Sequence, residues 1–175
     1  MSDPAPWLYV VSSAAPPVLR ISEFITQLQA KGWQCCLIAT PTAASWIDLD
    51  EVSTTTGCLT RVHPGRPHQP DSLPRAEAVV AAPMTFNSIN KWAAGVSDTL
   101  ALGVLNEMLG VEIPIIVAPC VKASLRSHPA YQESVARLAK AGVSMIDPET
   151  VTDRDANGLA VFDWPRIVDL LGDHR

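Results

Sequence analysis

Short apolar runs closed by turn residues alternate with amphipathic stretches along most of the chain. That alternation predicts repeated strand–helix units and a parallel sheet whose strands are buried on both faces. Residues 7–11, Trp-Leu-Tyr-Val-Val, read as the first strand, closed by Ser12 and Ser13. Pro16 and Pro17 stand where a first helical turn tolerates proline. Val18, Ile21, Ile25 and Leu28 then recur at helical spacing as far as Gly32, which supplies a stop. Residues 33–39 form the second strand, and Thr40-Pro-Thr42 leads into a short helix ending at Trp46. The stretch 51–60 is weakly patterned, with a short strand expected over 58–62. Residues 63–74 hold four prolines, a glycine and two histidines, and predict an irregular loop of a kind that is often functional. A strand is expected at 77–82, helices at 85–94 and 98–109, a strand at 113–118, a helix at 129–141 and a short strand at 143–146. A turn at 153–158 and a closing helix at 164–171 complete the chain. The pattern predicts one α/β domain over residues 1–175, a three-layer αβα arrangement around a Rossmann-like parallel sheet of five or six strands.

Composition narrows the class. Hydrophobic residues make up 47 % of the 175 residues and charged ones only 18 %, which strands buried on both faces and a subunit interface would absorb. The net charge of −5 and the lack of any basic stripe set nucleic acid aside as a partner. The acidic N-terminus has no signal-like n-region or long apolar stretch, and no apolar run approaches the ~20 residues that span a bilayer. Cys35, Cys36, Cys58 and Cys120 match neither a zinc knuckle nor a CxxC pair. Adjacent Cys35 and Cys36 inside an apolar run read as buried thiols in a reducing compartment, so a cytoplasmic protein without a metal is expected.

In an open parallel sheet, ligands bind at the carboxyl ends of the strands. The loops to inspect are therefore 12–15, 40–42, 83–88 and 119–126, all rich in small hydroxyl residues, amides or prolines. Hydroxyls and unpaired N–H groups at a helix N-terminus favour an anion. Ser12 and Ser13 suit a phosphate, although on local pattern Ser13 as a simple helix cap is the commoner case. Neither G-x-G-x-x-G nor G-x-x-x-x-G-K-[ST] occurs, and the first loop has no glycine. A monophosphate gripped by hydroxyls fits this loop better than a pyrophosphate.

The segment Ala82-Pro-Met-Thr-Phe-Asn-Ser-Ile-Asn-Lys-Trp-Ala-Ala-Gly-Val-Ser-Asp98 resembles the Pro-Ala-Ser-Ala-Asn-Thr motif of the flavin-containing cysteine decarboxylases. That family includes phosphopantothenoylcysteine decarboxylase and the lantibiotic peptidyl-cysteine decarboxylases. The likeness continues through its Lys-Ile-Ala-x-Gly-x-x-Asp-x-Leu pattern, here Lys91, Ala93, Gly95, Asp98 and Leu100, and takes in residues 8–147. The resemblance implies FMN, with Ser12, Ser13, Thr40 and Thr42 near the phosphate. Pro83, Thr85, Asn87 and Ser88 would lie along the ribityl chain and ring edge, where an amide and hydroxyls meet alternating donors and acceptors. It also implies a homo-oligomer, a trimer or a multiple of trimers, with a small-molecule or peptide thiol as substrate.

Two family features are altered. His68 is the nearest candidate for the catalytic histidine, one residue further upstream than the family spacing, with His63 weaker in the same loop. The family's Pro-x-Met-Asn-x-x-Met-Trp stretch becomes Pro119-Cys-Val-Lys-Ala-Ser-Leu-Arg126, with Val121 and Lys122 in place of Met-Asn. Lys122 or Arg126 would then bind a substrate carboxylate, or both are solvated loop charges. Cys120 reads more readily as an inert thiol than as a nucleophile. His128 begins a helix, and Trp46, Trp92 and Trp164 read as core or interface anchors. Trp92 has a second reading as lining of a trimer contact or substrate pocket. The leading expectation is an FMN-dependent redox enzyme, oxidoreductase or lyase, related to the decarboxylases but with an altered substrate loop. The alternative is a non-catalytic FMN-binding regulatory or interaction subunit. Flavin prenyl transfer ranks last, because the first loop lacks the Gly-Ala-Ser-Gly pattern of that group.

Overall fold

The computed structural model of the chain describes residues 4–69 and 72–172. Pro70 and Asp71 of the proline-rich loop, and the first three residues of the acidic N-terminus, lie outside them. Six strands form one parallel sheet: β1 Trp7–Ser12, β2 Gln34–Ala39, β3 Leu59–Arg61, β4 Ala76–Met84, β5 Ile115–Pro119 and β6 Ser144–Met145. Their order is β3-β2-β1-β4-β5-β6, with every pair parallel.

The apolar runs become central strands because both faces are covered. In β1, Leu8 and Val10 face one core, while Tyr9 and Val11 face the other; β4 repeats this with Ala78 and Val80 against Val79 and Ala81. Helices α1 Ile21–Ala30, α2 Pro41–Trp46, α3 Leu49–Thr56 and α8 Trp164–Leu171 supply the first core through Phe24, Ile25, Ala43, Val52 and Ile167. Helices α4 Phe86–Ala93, α5 Leu100–Met108 and α7 Pro129–Lys140 supply the second through Ile89, Trp92, Leu105, Tyr131 and Leu138. This is the expected three-layer α/β arrangement. The chain runs outward from β1 to β2 on one side and from β4 to β5 on the other. A crevice therefore opens between the carboxyl ends of β1 and β4, where the strand order reverses.

Three local features differ from the sequence reading. The two prolines open a 3-10 turn, Pro16–Arg20, before α1 proper. The weakly patterned stretch contains α3, capped by Asp48, whose carboxylate accepts the Glu51 N–H at 3.1 Å, and ended by Gly57 at φ 72°. Only Val52 of this helix is fully buried, so it shows little apolar periodicity. The turn expected at 153–158 joins two short antiparallel strands, β7 Thr152–Arg154 and β8 Ala160–Phe162. Trp92 and Trp164 are buried, but Trp46, at the end of the short α2, is 46 % exposed and is no core anchor. Among the described residues no helix is long and apolar enough to cross a membrane.

Candidate functional site

Ser12 and Ser13 tie the end of β1 to the end of β4. The Ser12 hydroxyl donates to the Ala82 carbonyl at 2.7 Å, and the Ser13 hydroxyl donates to the Pro83 carbonyl at 3.0 Å. The Ser13 backbone N–H reaches the same Pro83 carbonyl, and the Thr85 N–H donates back to Ser13 Oγ at 2.9 Å. Both serines are buried, so their polar atoms need these partners. Ser13 does not cap the following turn, whose N-cap is Ala15 with no side-chain bond. What it fixes is the start of α4, where Thr85 Oγ1 accepts the Ser88 N–H at 3.2 Å.

The crevice beside this clamp is a cleft of about 370 Å³. Ser13, Thr40, Thr42, Thr85, Asn87 and Ser88, all expected from the sequence, line it together. Ser12 and Pro83 lie behind the lining, in the clamp. Helices α4 and α5 both begin here; Thr99 caps α5 by accepting the Leu102 N–H at 3.1 Å. Two helix N-termini aimed at one cleft favour an anion. Thr40 caps α2 by accepting the Ala43 N–H at 3.2 Å. Asn87 is exposed at the cleft. Lys91, Asp98, Thr99 and Leu102 also line it. In the sequence Lys91 and Asp98 stand out only as motif positions, with no role attached. They form an ion pair at 2.6 Å, which ties α4 to the segment entering α5.

The remaining candidates lie elsewhere. His68 and His63 are exposed in the long loop and line neither this cleft nor the next one described. His128 is the N-cap of α7, its Nδ1 accepting the Ala130 N–H at 3.0 Å. One strand along from the clamp, the Cys120 N–H donates to the Met84 carbonyl at 2.8 Å. Cys120 opens a second cleft of about 360 Å³ with Val121, Ala123, Arg126, Glu149, Thr152 and Arg154 among its lining residues. Arg126, on α6 Ala123–Arg126, pairs with Glu149 at 3.3 Å. Lys122, the residue before α6, is exposed and is not part of that lining. The two candidate cations are thus separated, one in the cleft and one in solvent.

All four cysteines carry free thiols, and three are buried. Desolvation pushes the Cys120 thiol above its ordinary value, with Arg154 opposing the shift. A reactive thiolate is not what this environment produces. Burial drives the Cys35 thiol up to about 12 from an ordinary value of 9.0, with Cys58 and Cys36 adding to it. The sign follows from linkage: between those two values the unfolded chain loses a proton that the folded protein keeps. Stability is therefore expected to be unaffected by this group below about 9 and to fall as pH rises toward about 12. Denaturant midpoints for Cys35→Ala and the parent, compared at about pH 8 and pH 10, test this; the parent should lose more stability over that interval.

A family model described as Flavoprotein matches residues 2–174. The coenzyme A biosynthesis bifunctional protein CoaBC of Thermococcus kodakarensis is 34 % identical over 74 residues, which are 42 % of this chain and 18 % of that protein. The matched stretch is thus under a fifth of that relative's length. Among solved structures, a mutant PPC decarboxylase complexed with pantothenoylaminoethenethiol superposes with a TM-score of 0.75 at 15 % identity, over 95 % of this chain and 96 % of that one. The FMN-dependent cysteine decarboxylase SpaF gives 0.72 at 20 % identity, over 95 % of both chains.

Proposed function

Because the chain belongs to the Flavoprotein family, we propose that it binds FMN in the cleft at the ends of β1, β2 and β4 and acts as a redox enzyme related to the cysteine decarboxylases. The observation that carries this reading is the convergence of two helix N-termini with the Thr40–Thr42, Thr85 and Asn87 side chains on one crevice at the strand-order reversal. The lining suits the group chemically. It is rich in hydroxyl and amide donors, its single ammonium is already paired with Asp98, and Ala14, Pro41 and Leu102 add apolar surface. A monophosphate needs donors and a favourable dipole more than a full counter-charge, and a flavin ring needs an apolar face with hydrogen-bonding edges.

In this reading Thr42 and the start of α4 hold the phosphate, while Asn87 and Ser88 meet the ribityl chain and ring edge. Ser12, Ser13 and Pro83 act one layer back, holding the two strand ends at the spacing the ligand requires. Bound FMN would supply a two-electron acceptor for a substrate thiol. The chain's part is to bind and orient that substrate over the ring and to exclude water. A trimer, or a multiple of trimers, in a reducing cytoplasmic compartment completes the reading.

Asn87→Ala is expected to weaken FMN binding by roughly 3- to 10-fold, the worth of one ordinary hydrogen bond, without moving the denaturation midpoint. Flavin-stripped protein titrated with FMN and followed by fluorescence quenching measures it; an unchanged affinity removes Asn87 from the site. A second reading, an FMN-binding subunit without catalysis, draws on Val121 and Lys122 standing where the family has Met-Asn, and on Lys122 and His68 pointing to no shared site. Anaerobic addition of cysteinyl compounds separates the two: bleaching of the flavin band supports the enzyme, and an unchanged spectrum supports the binder. In the enzyme case, loss of bleaching in His68→Asn would give that histidine a catalytic part.

A further inference from the structure

We infer that the second cleft, between the loop after β5 and the β7–β8 hairpin, is an oxyanion site that holds the negatively charged group of the substrate on Arg126, Thr152 and Arg154. It rests on the flavoprotein reading only in calling the ligand a substrate. Two side chains at this cleft have unmet hydrogen-bonding capacity. Arg126 Nε and Thr152 Oγ1 are both buried polar atoms without a partner, and both residues line this cleft. Buried polar atoms left without a bond are costly to a fold, so two around one cavity point to a group that completes them.

Charge argues the same way. The lining carries two guanidinium groups, Arg126 and Arg154, against one carboxylate, Glu149. Glu149 is 74 % exposed and meets Arg126 through a single contact at 3.3 Å, which is long for a charge-assisted bond. An incoming carboxylate or phosphate replaces it at little cost and takes up the free Nε in a two-pronged contact that Glu149 does not make. Arg154 is tethered by Nη1 to the Gly158 carbonyl at 2.9 Å across the hairpin turn. Its position is therefore set by the hairpin, and the hairpin becomes a wall of the site. Cys120 and Val121 also line the cleft, and the Cys120 N–H bonds the Met84 carbonyl, one residue past the clamp carbonyl of Pro83. The site thus lies one strand away from the first cleft. Val121 provides no donor where the family motif has an asparagine, and the arginine and threonine supply donors from elsewhere in the fold.

Three probes distinguish the sources of negative charge: N-acetyl-L-cysteine, its carboxamide, and inorganic phosphate. Calorimetry on the 175-residue chain as purified reads binding directly and needs no flavin colour. The inference requires saturable binding of N-acetyl-L-cysteine or phosphate at or below millimolar concentration, at least ~10-fold weaker in Arg126→Gln and in Thr152→Val. Whichever probe binds identifies the anion. Equal binding of the carboxamide, no saturable binding of either anion, or unchanged affinity in both variants overturns it. Thr152→Ser keeps the hydroxyl and is expected to bind as the parent does, which separates loss of the donor from damage to the hairpin. Because flavin content is measured apart, a colourless protein that still binds the anion refutes the FMN reading alone. A yellow protein that binds neither anion refutes only this site.

Discussion

Ser13→Ala is expected to destabilise the protein by about 1–3 kcal/mol and to release bound flavin. The reason is the asymmetry of the clamp. The Pro83 carbonyl keeps a partner after the change, because the Ser13 backbone N–H also reaches it. The Thr85 N–H has its bond to Ser13 Oγ and loses it. A donor at the buried junction of β4 and α4 is then left unmet, and the cheapest relief is a shift of Thr85 away from β1. Thr85 is also the N-cap of α4 and lines the cleft, so the site loosens with the clamp. Flavin affinity should fall further than for Asn87→Ala, which removes one contact and leaves the frame intact. Denaturant unfolding and FMN titration on the same preparation test both halves. Loss of stability with full flavin affinity would confine Ser13 to the fold.

Trp164→Ala is expected to cost more, about 3–5 kcal/mol, and to leave the affinity of the folded protein for FMN unchanged. Trp164 is 3 % exposed and opens α8. Its ring stacks on Phe24 of α1 at 4.4 Å between centroids and meets Phe162 of β8 edge-on at 5.3 Å. Truncation removes the aromatic contact that docks α8 and leaves a cavity in the first core. Two of the cleft's helices, α4 and α5, come from the opposite face of the sheet and only the start of α2 from the face of Trp164, so the two effects should be separable. Combined with Ser13→Ala, the losses should add within about 0.5 kcal/mol. Trp164→Phe, which keeps a ring against Phe24, should lose less than the alanine variant. A large fall in flavin affinity with Trp164→Ala would show that the two faces are coupled.

How much of this was legible in the sequence follows from where each element gets its stability. The central strands are readable because β1, β2, β4 and β5 are buried on both faces along most of their length and are therefore largely apolar. Their loop residues were readable for the same reason, since the carboxyl ends of such strands are where ligands gather. Helix α3 was not, because one buried valine leaves no periodic signal; Asp48 as cap and Gly57 as stop were the available clues. The β7–β8 hairpin shows in the sequence only as a turn. Thr152, Asp153 and Arg154 are polar, and the strand is held by pairing with β8 rather than by burial. The serine pair was placed at the right loop, yet its bonds to Ala82 and Pro83 span about seventy residues of sequence, a relation no local pattern carries. For the same reason Arg126 was named as a candidate cation while Thr152 and Arg154 were not: their convergence exists only once β7 folds back over the loop after β5.

Whether the cleft between the ends of β1 and β4 holds FMN is read from the visible spectrum of the purified chain and from what it releases on denaturation. The expected result is a yellow protein with a flavin absorbance band, and release of FMN, neither FAD nor riboflavin, on denaturation, close to one per chain. A colourless protein that does not regain the band when incubated with FMN would contradict it.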